Sequence, residues 1–151
     1  MKTAFVFPGQ GSQYAGMGKN AYDSFKEARD VFERADAALG FSLSTLCFEG
    51  PDDALRLTAH TQPAILTVSV ALYAALAARG LRPDVAAGHS LGEYSAYVAA
   101  GTIHFEDAAR AVRKRGEAMQ AACPAGEGDM AAILGLGYDA VARVCEEAAQ
   151  G

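Results

Sequence analysis

Ser90 sits in the run Ala86-Ala87-Gly88-His89-Ser90-Leu91-Gly92, with a glycine two residues away on either side. A short apolar run precedes it and a helix-forming segment follows. A serine on a sharp strand-to-helix turn holds its hydroxyl above the carboxyl edge of a sheet, and flanking glycines let neighbouring backbone pack close to the bend. The first amides of the following helix then face the site with the positive end of the helix dipole. This is equipment for nucleophilic attack on a carbonyl carbon, with the Leu91 N–H placed to stabilise an oxyanion. A plainer reading stays open at this point: serine is also a favoured N-cap, and Ser90 could simply cap that helix.

An oxyanion site needs a second donor from another loop. Pro8-Gly9-Gln10-Gly11-Ser12-Gln13 follows an apolar run that should pair near Val85, so the backbone N–H of Gln10 is the candidate. The same loop does not read as a phosphate cradle. Tyr14 stands where a third glycine would close G-x-G-x-x-G, and no G-K-[ST] follows. Arg115 is the third candidate. On a wheel of about 100° per residue it falls among Ala108, Ala111 and Ala122, while Arg110, Arg113, Lys114 and Glu117 take the opposite side. A guanidinium so placed needs an anion or carbonyls. It either makes a structural ion pair with an internal carboxylate or clamps a substrate carboxylate with its planar fork.

No base for Ser90 is evident. The chain has three histidines, His60, His89 and His104. His89 is the elbow's neighbour and should point away, His60 reads as a loop residue, and His104 reads as surface. None has metal-ligand spacing with another His or Cys, so no metal site is expected.

The elements that must carry these residues read as follows. Thr3 to Phe7 is a strand, and Phe25 to Leu39 an amphipathic helix closed by Gly40. A turn of helix opens at Pro51. A helix apolar on nearly every side is capped by Thr61, has Pro63 in its first turn and stops at Gly80. Val85 to Ala87 is a strand, and Leu91 to Ala100 and Phe105 to Cys123 are helices. A strand over Met130 to Leu136 and a helix over Tyr138 to Ala149 end the chain. This order predicts an α/β fold with a mainly parallel sheet. Pro124 to Asp129 is the one expected subdomain boundary.

Length and composition agree with a globular protein: 151 residues, 51 % hydrophobic, 21 % charged, net charge −5. The negative balance argues against nucleic acid as a partner. The apolar runs are too short for a signal peptide or a membrane span, so a cytoplasmic protein is expected. Cys47, Cys123 and Cys145 read as reduced thiols in the core.

Four segments together, "FVFPGQGSQYAGMG", "TQPAILTVSVALY", "GHSLGEYSAYVAAG" and "RKRGEAMQ", resemble the malonyl-CoA:acyl carrier protein transacylases, members of the acyltransferase family of fatty-acid and polyketide synthesis. The resemblance runs from Lys2 to Gly151, and the start at the first strand favours a free-standing enzyme. It implies ping-pong transfer of malonyl from malonyl-CoA through Ser90 to the phosphopantetheine thiol of acyl carrier protein. Gln10 and Leu91 amides would form the oxyanion hole, Arg115 would bind the malonate carboxylate, and Gln62 would lie near the pocket. It implies no metal or prosthetic group, with coenzyme A only as part of substrate and product.

By the same resemblance, residues 1–124 form the N-terminal part of a large α/β-hydrolase-like domain, a partial parallel-sheet domain. Residues 125–151 begin a small ferredoxin-like subdomain, contributing its first strand and helix. Family members run to about twice this length, and their catalytic histidine lies beyond Gly151. A complementary C-terminal segment or second chain is therefore an expected partner, and the chain alone is expected to be inactive or incomplete. Two rivals remain: a serine esterase or lipase of α/β-hydrolase type, which gives no reason for Arg115, and an inactive fragment that binds coenzyme A or carrier protein.

Overall fold

A computed structural model describes residues 2–123 and 133–149. Chain order is β1 (Ala4–Phe7), α1 (Lys19–Ser24), α2 (Lys26–Leu39), α3 (Leu43–Glu49), α4 (Asp52–Arg56), α5 (Thr58–Ala77), β2 (Val85–Gly88), α6 (Gly92–Ala99), α7 (Phe105–Ala122) and α8 (Tyr138–Ala148). The fold is mixed α/β, mostly helical. Its two described strands pair in parallel, with Ala4 opposite Val85 and Phe7 opposite Gly88. The His89 N–H extends the ladder by donating to Phe7 O at 3.1 Å.

Helix α5 is the centre. Eleven of its 20 residues are buried, from Thr61 to Ala75, so it is covered on most faces by α2 and α7. Phe32, Leu43, Leu66, Leu91 and Val112 fill the space between them, each fully or almost fully buried. Burial of such side chains stabilises by roughly 1.5–3 kcal/mol each.

Helix α5 starts earlier than its sequence suggests. Thr61 is not its cap but lies in its first turn, where Oγ1 donates to Leu55 O at 2.6 Å. The opening amide, Thr58 N, is instead satisfied by Gln120 Oε1 of α7 at 3.3 Å. His60 accordingly belongs to the helix rather than a loop, with Nδ1 2.8 Å from Ala54 O. Helices α1 and α3 are too short to show a period. Helix α3 is held by the end of α2, where the Asp36 carboxylate accepts from Ser44 N at 2.9 Å.

The expected strand over Met130 to Leu136 is corrected where it is described. Residues 133–136 form no strand, because an extended segment needs a partner to pair with. Its first three residues lie outside the described ones. Helix α8 matches expectation in position, but none of its residues is buried. Cys47 is buried, whereas Cys123 and Cys145 are exposed rather than in the core. Among the described residues no helix is long and apolar enough to cross a membrane.

Close backbone approach accounts for two glycines. A Cβ on Gly88 would stand 2.0 Å from Gly92 C, and one on Gly92 would stand 2.2 Å from Phe7 O. Replacing Gly92 by alanine should therefore cost at least about 3 kcal/mol in urea unfolding. Gly40→Ala, at φ 74 with open space around it, should cost only about 1–2 kcal/mol.

The thiols offer a second check. Burial, with the nearby Asp36 charge adding to it, pushes the Cys47 thiol up to about 12. Cys123 and Cys145 should react with a thiol reagent at pH 8 in the native protein, and Cys47 only on unfolding. The native state favours the protonated Cys47, so its contribution to stability is full below the ordinary thiol pKa and is lost as pH rises toward about 12.

Candidate active site

The two strands end at the same level, and both loops that leave them meet over the sheet. Strand β2 runs through Gly88 into His89 and Ser90, and α6 begins two residues later. Ser90 has φ 52, the one positive φ among the described non-glycine residues. An L-residue in the left-handed region is strained by roughly 1–2 kcal/mol. The two close glycine contacts described above hold the bend in place. Ser90 is exposed, while Leu91 beside it is almost completely buried.

The loop after β1 lies directly against the bend. A Cβ on Gly9 would stand 2.7 Å from His89 O and 2.9 Å from His89 Nδ1. The loop is shaped by its own side chains, with Ser12 Oγ donating to Gly9 O at 2.9 Å and Gly11 N donating to Gln13 Oε1 at 2.8 Å. Gln10 follows Gly9, and its side-chain Nε2 donates to Thr58 Oγ1 at 3.3 Å. Among the described residues neither Gln10 N nor Leu91 N donates to a protein acceptor. Both amides are thus left without a protein partner.

Helix α7 brings the guanidinium. Arg115 Nη1 donates to Gln62 Oε1 at 2.7 Å, and Nη2 donates to Ser90 Oγ at 3.3 Å. Gln62 is completely buried on α5, and its Nε2 donates to Met119 Sδ at 3.1 Å. Among the described residues Arg115 pairs with no carboxylate; its two partners are neutral. The internal ion pair considered from sequence is therefore absent there. Ser90, Arg115 and Gln62 form one connected group, with the Gln10 and Leu91 amides on the two loops beside it.

Nothing in that group takes a proton from Ser90. Among the described residues the only hydrogen-bond partner of Oγ is Arg115 Nη2, a donor that stabilises negative charge on oxygen without accepting a proton. His60 is tied to Ala54 O, and His89 and His104 are exposed. The described residues include no group of three or more His, Cys, Asp or Glu able to hold a metal ion.

Sequence patterning misplaced one residue of this region. Arg113, on the polar side of the wheel, is only 27 % exposed in its side chain. Its Nη1 donates to Ala59 O of α5 at 3.0 Å. The signal was Pro63, which lacks an N–H and so leaves the carbonyl four residues earlier without a donor in its own helix.

Relaxing the bend should be visible in stability. Ser90→Gly should raise the urea midpoint by an amount equivalent to about 1 kcal/mol, while Ser90→Ala, which keeps the strain, should not. Equal midpoints for the two variants would contradict a strained elbow.

The acyl transferase domain family matches residues 4–147. The malonyl CoA-acyl carrier protein transacylase of Bacillus subtilis (strain 168) is 53 % identical over 146 residues, covering 97 % of this chain and 46 % of that protein. Among solved structures, an acyl-carrier-protein-S-malonyltransferase from Bartonella henselae is 51 % identical with a TM-score of 0.89, covering 99 % of this chain and 49 % of that one. A malonyl-transacylase solved in complex with its type II PKS acyl-carrier protein is 45 % identical with a TM-score of 0.89, covering 100 % of this chain and 49 % of that one. The chain spans about half the length of the relatives it matches.

Proposed function

The chain belongs to the acyl transferase family, and from that premise we propose that it carries the nucleophile, oxyanion donors and carboxylate clamp of a malonyl-CoA:acyl carrier protein transacylase. The observation that carries the reading is the Arg115 guanidinium, 3.3 Å from Ser90 Oγ and paired with no carboxylate among the described residues. Such an arrangement suits an acyl group that ends in a carboxylate a few bonds from the carbon under attack.

In the first half-reaction Ser90 Oγ forms a bond to the thioester carbonyl carbon, and the oxyanion is met by the Gln10 and Leu91 amides. The carbon–sulfur bond then breaks, coenzyme A leaves as the thiol, and malonyl remains as an ester on Ser90. Arg115 holds the distal carboxylate, and Gln62 holds Arg115. In the second half the phosphopantetheine thiol of acyl carrier protein attacks the ester, and the Ser90 hydroxyl is regenerated. The relative solved with its acyl-carrier protein supports that acceptor. Coenzyme A enters only as part of substrate and product, and the reaction as written calls for no cofactor.

The proton of Ser90 goes to a base supplied by a complementary C-terminal segment or second chain. Two features support such a piece. Val6 and Val85 of the paired strands are 76 % and 61 % exposed, although parallel sheets are ordinarily covered on both faces. An apolar groove of about 440 Å³ also runs between β1 and α5, lined by Phe5, Val6, Val68, Leu72 and Leu76 among others. In this reading residues 1–124 belong to the large α/β-hydrolase-like domain. Residues 125–151, with α8 unburied, open a small ferredoxin-like subdomain. The reaction takes place in the cytoplasm.

The test is intact mass after incubation of the chain with malonyl-CoA. One malonyl adduct, absent in Ser90→Ala, is expected, and slow loading is consistent with the missing base. Arg115→Ala should lower malonyl loading relative to acetyl loading by roughly ten- to a hundredfold. An esterase would be indifferent to that change. Binding of malonyl-CoA with no adduct would instead make the chain a binding module.

A further inference from the structure

Arg113 precedes Arg115 by two residues on α7 and has three contacts. Its Nε donates to Glu117 Oε1 at 2.6 Å within the same helix. Its guanidinium carbon lies 5.2 Å from the ring centroid of Phe41. Its Nη1 donates to Ala59 O at 3.0 Å, across to α5. The third contact has a cause in the sequence of α5. Pro63 has no N–H, so Ala59 O lacks the donor that an ordinary residue at position 63 would supply. Helix α7 provides it.

The same crossing is tight in its backbone. A Cβ on Gly116 would stand 2.6 Å from Thr58 O and 2.8 Å from Ala59 Cα. Gly116 lets the helices approach, and directional side-chain contacts to backbone resist sliding of one along the other. Gln120 Oε1 accepts from Thr58 N at 3.3 Å at the start of α5, and Arg113, nearer Arg115 in the chain, donates to Ala59 O at 3.0 Å. Three residues after Ala59 on α5 stands Gln62, and two after Arg113 on α7 stands Arg115. These are joined at 2.7 Å.

We propose that Arg113 is a positioning residue for the Arg115 clamp: by donating to the carbonyl that Pro63 leaves free, it fixes the register of α7 on α5. That register places the Arg115 guanidinium between Gln62 and Ser90. The proposal rests on the reading of Arg115 as the site's carboxylate clamp. A slip of about an ångström along the crossing would break one of the two Arg115 hydrogen bonds, and misplacement on that scale can lower a rate by about a hundredfold.

The experiment separates register from mere satisfaction of a carbonyl. Pro63→Ala returns an N–H to α5, so Ala59 O finds its donor within its own helix. The chain is compared as wild type, R113M, R113K, P63A and P63A/R113M. Three quantities are read: the thermal midpoint, the side-chain amide NMR signals of Gln62, and malonyl loading of Ser90 at low malonyl-CoA. R113M should lower the midpoint, shift the Gln62 signals and slow loading by about tenfold. Adding P63A should restore the midpoint but neither the Gln62 signals nor the loading. R113K, which keeps a donor, should recover part of all three.

Recovery of the Gln62 signals and loading together with the midpoint in the double variant would overturn the proposal. So would an R113M chain whose Gln62 signals match wild type. The amide signals need no acylation. A wild-type chain that neither binds malonyl-CoA nor takes up malonyl would count against the reading of function, while the NMR comparison would still decide the positioning role.

Discussion

A half-buried guanidinium turned toward the protein on a packed helix gives up water on that side and needs hydrogen-bond acceptors there. Here the acceptors of Arg115 are an amide oxygen and a hydroxyl. That choice matters. A glutamate at position 62 would neutralise the charge and close the site to anions, whereas Gln62 orients the fork and leaves its charge uncancelled. The amide can serve only because it is itself completely buried and held, with its NH₂ on Met119 Sδ. The crossing of α5 and α7 brings these groups together. Gly116 admits the close approach, Pro63 opens a carbonyl, and Arg113 closes it.

The second half of the arrangement is set by backbone alone. The register of β1 on β2 ends with Phe7 opposite Gly88, so the two loops leave the sheet side by side. Gly92 must lack a side chain because Phe7 O stands where its Cβ would be, and Gly88 because Gly92 does. Between them Ser90 is forced to φ 52. The strain is local and small compared with the packing that surrounds it, where Leu91 is almost fully buried beside the exposed serine. A rigid neighbour holds a strained, accessible hydroxyl, and two unpaired amides lie on the loops at either side.

Much of this was legible in sequence where the cause is local. Strands β1 and β2 announced themselves as short apolar runs stopped by Pro8 and Gly88. Helices α2 and α6 end where Gly40 and Gly101 take φ 74 and 73, as glycine at a helix end suggests. Other features depended on residues far apart in the chain. The first amide of α5 is capped by Gln120, 62 residues on, so local capping rules pointed to Thr61 instead. Short helices α1 and α3 draw their stability from Tyr22 against Phe32 and Phe48 and from the Asp36 carboxylate. A polarity wheel put Arg113 with the charged residues opposite Arg115, because it counts charge and not missing donors. Residue types and spacing picked out Ser90 and Arg115, and the family resemblance added Gln62; that Arg115 is hydrogen-bonded to both of the others required coordinates.

Acyl transfer through a serine asks for two separable things, stabilisation of developing negative charge and removal of a proton. The first depends on fixed dipoles and charges, which must be rigid to act without reorganising. The second needs one titrating group that can accept a proton and give it back. In the proposed reading the described residues supply the first kind: the Gln10 and Leu91 amides, a helix start and a guanidinium paired with no carboxylate, which donates to the Ser90 hydroxyl. They supply none of the second, and the only contact to that hydroxyl is a donor. Such a donor lowers the cost of an oxyanion but cannot create one, so in the proposed reading the rate belongs to whatever covers Val6, Val85 and the groove along α5. Covering that apolar surface and delivering a base are then one event. In that reading, docking of a complementary piece would exclude water from the site, and that exclusion would strengthen every electrostatic contact already in place.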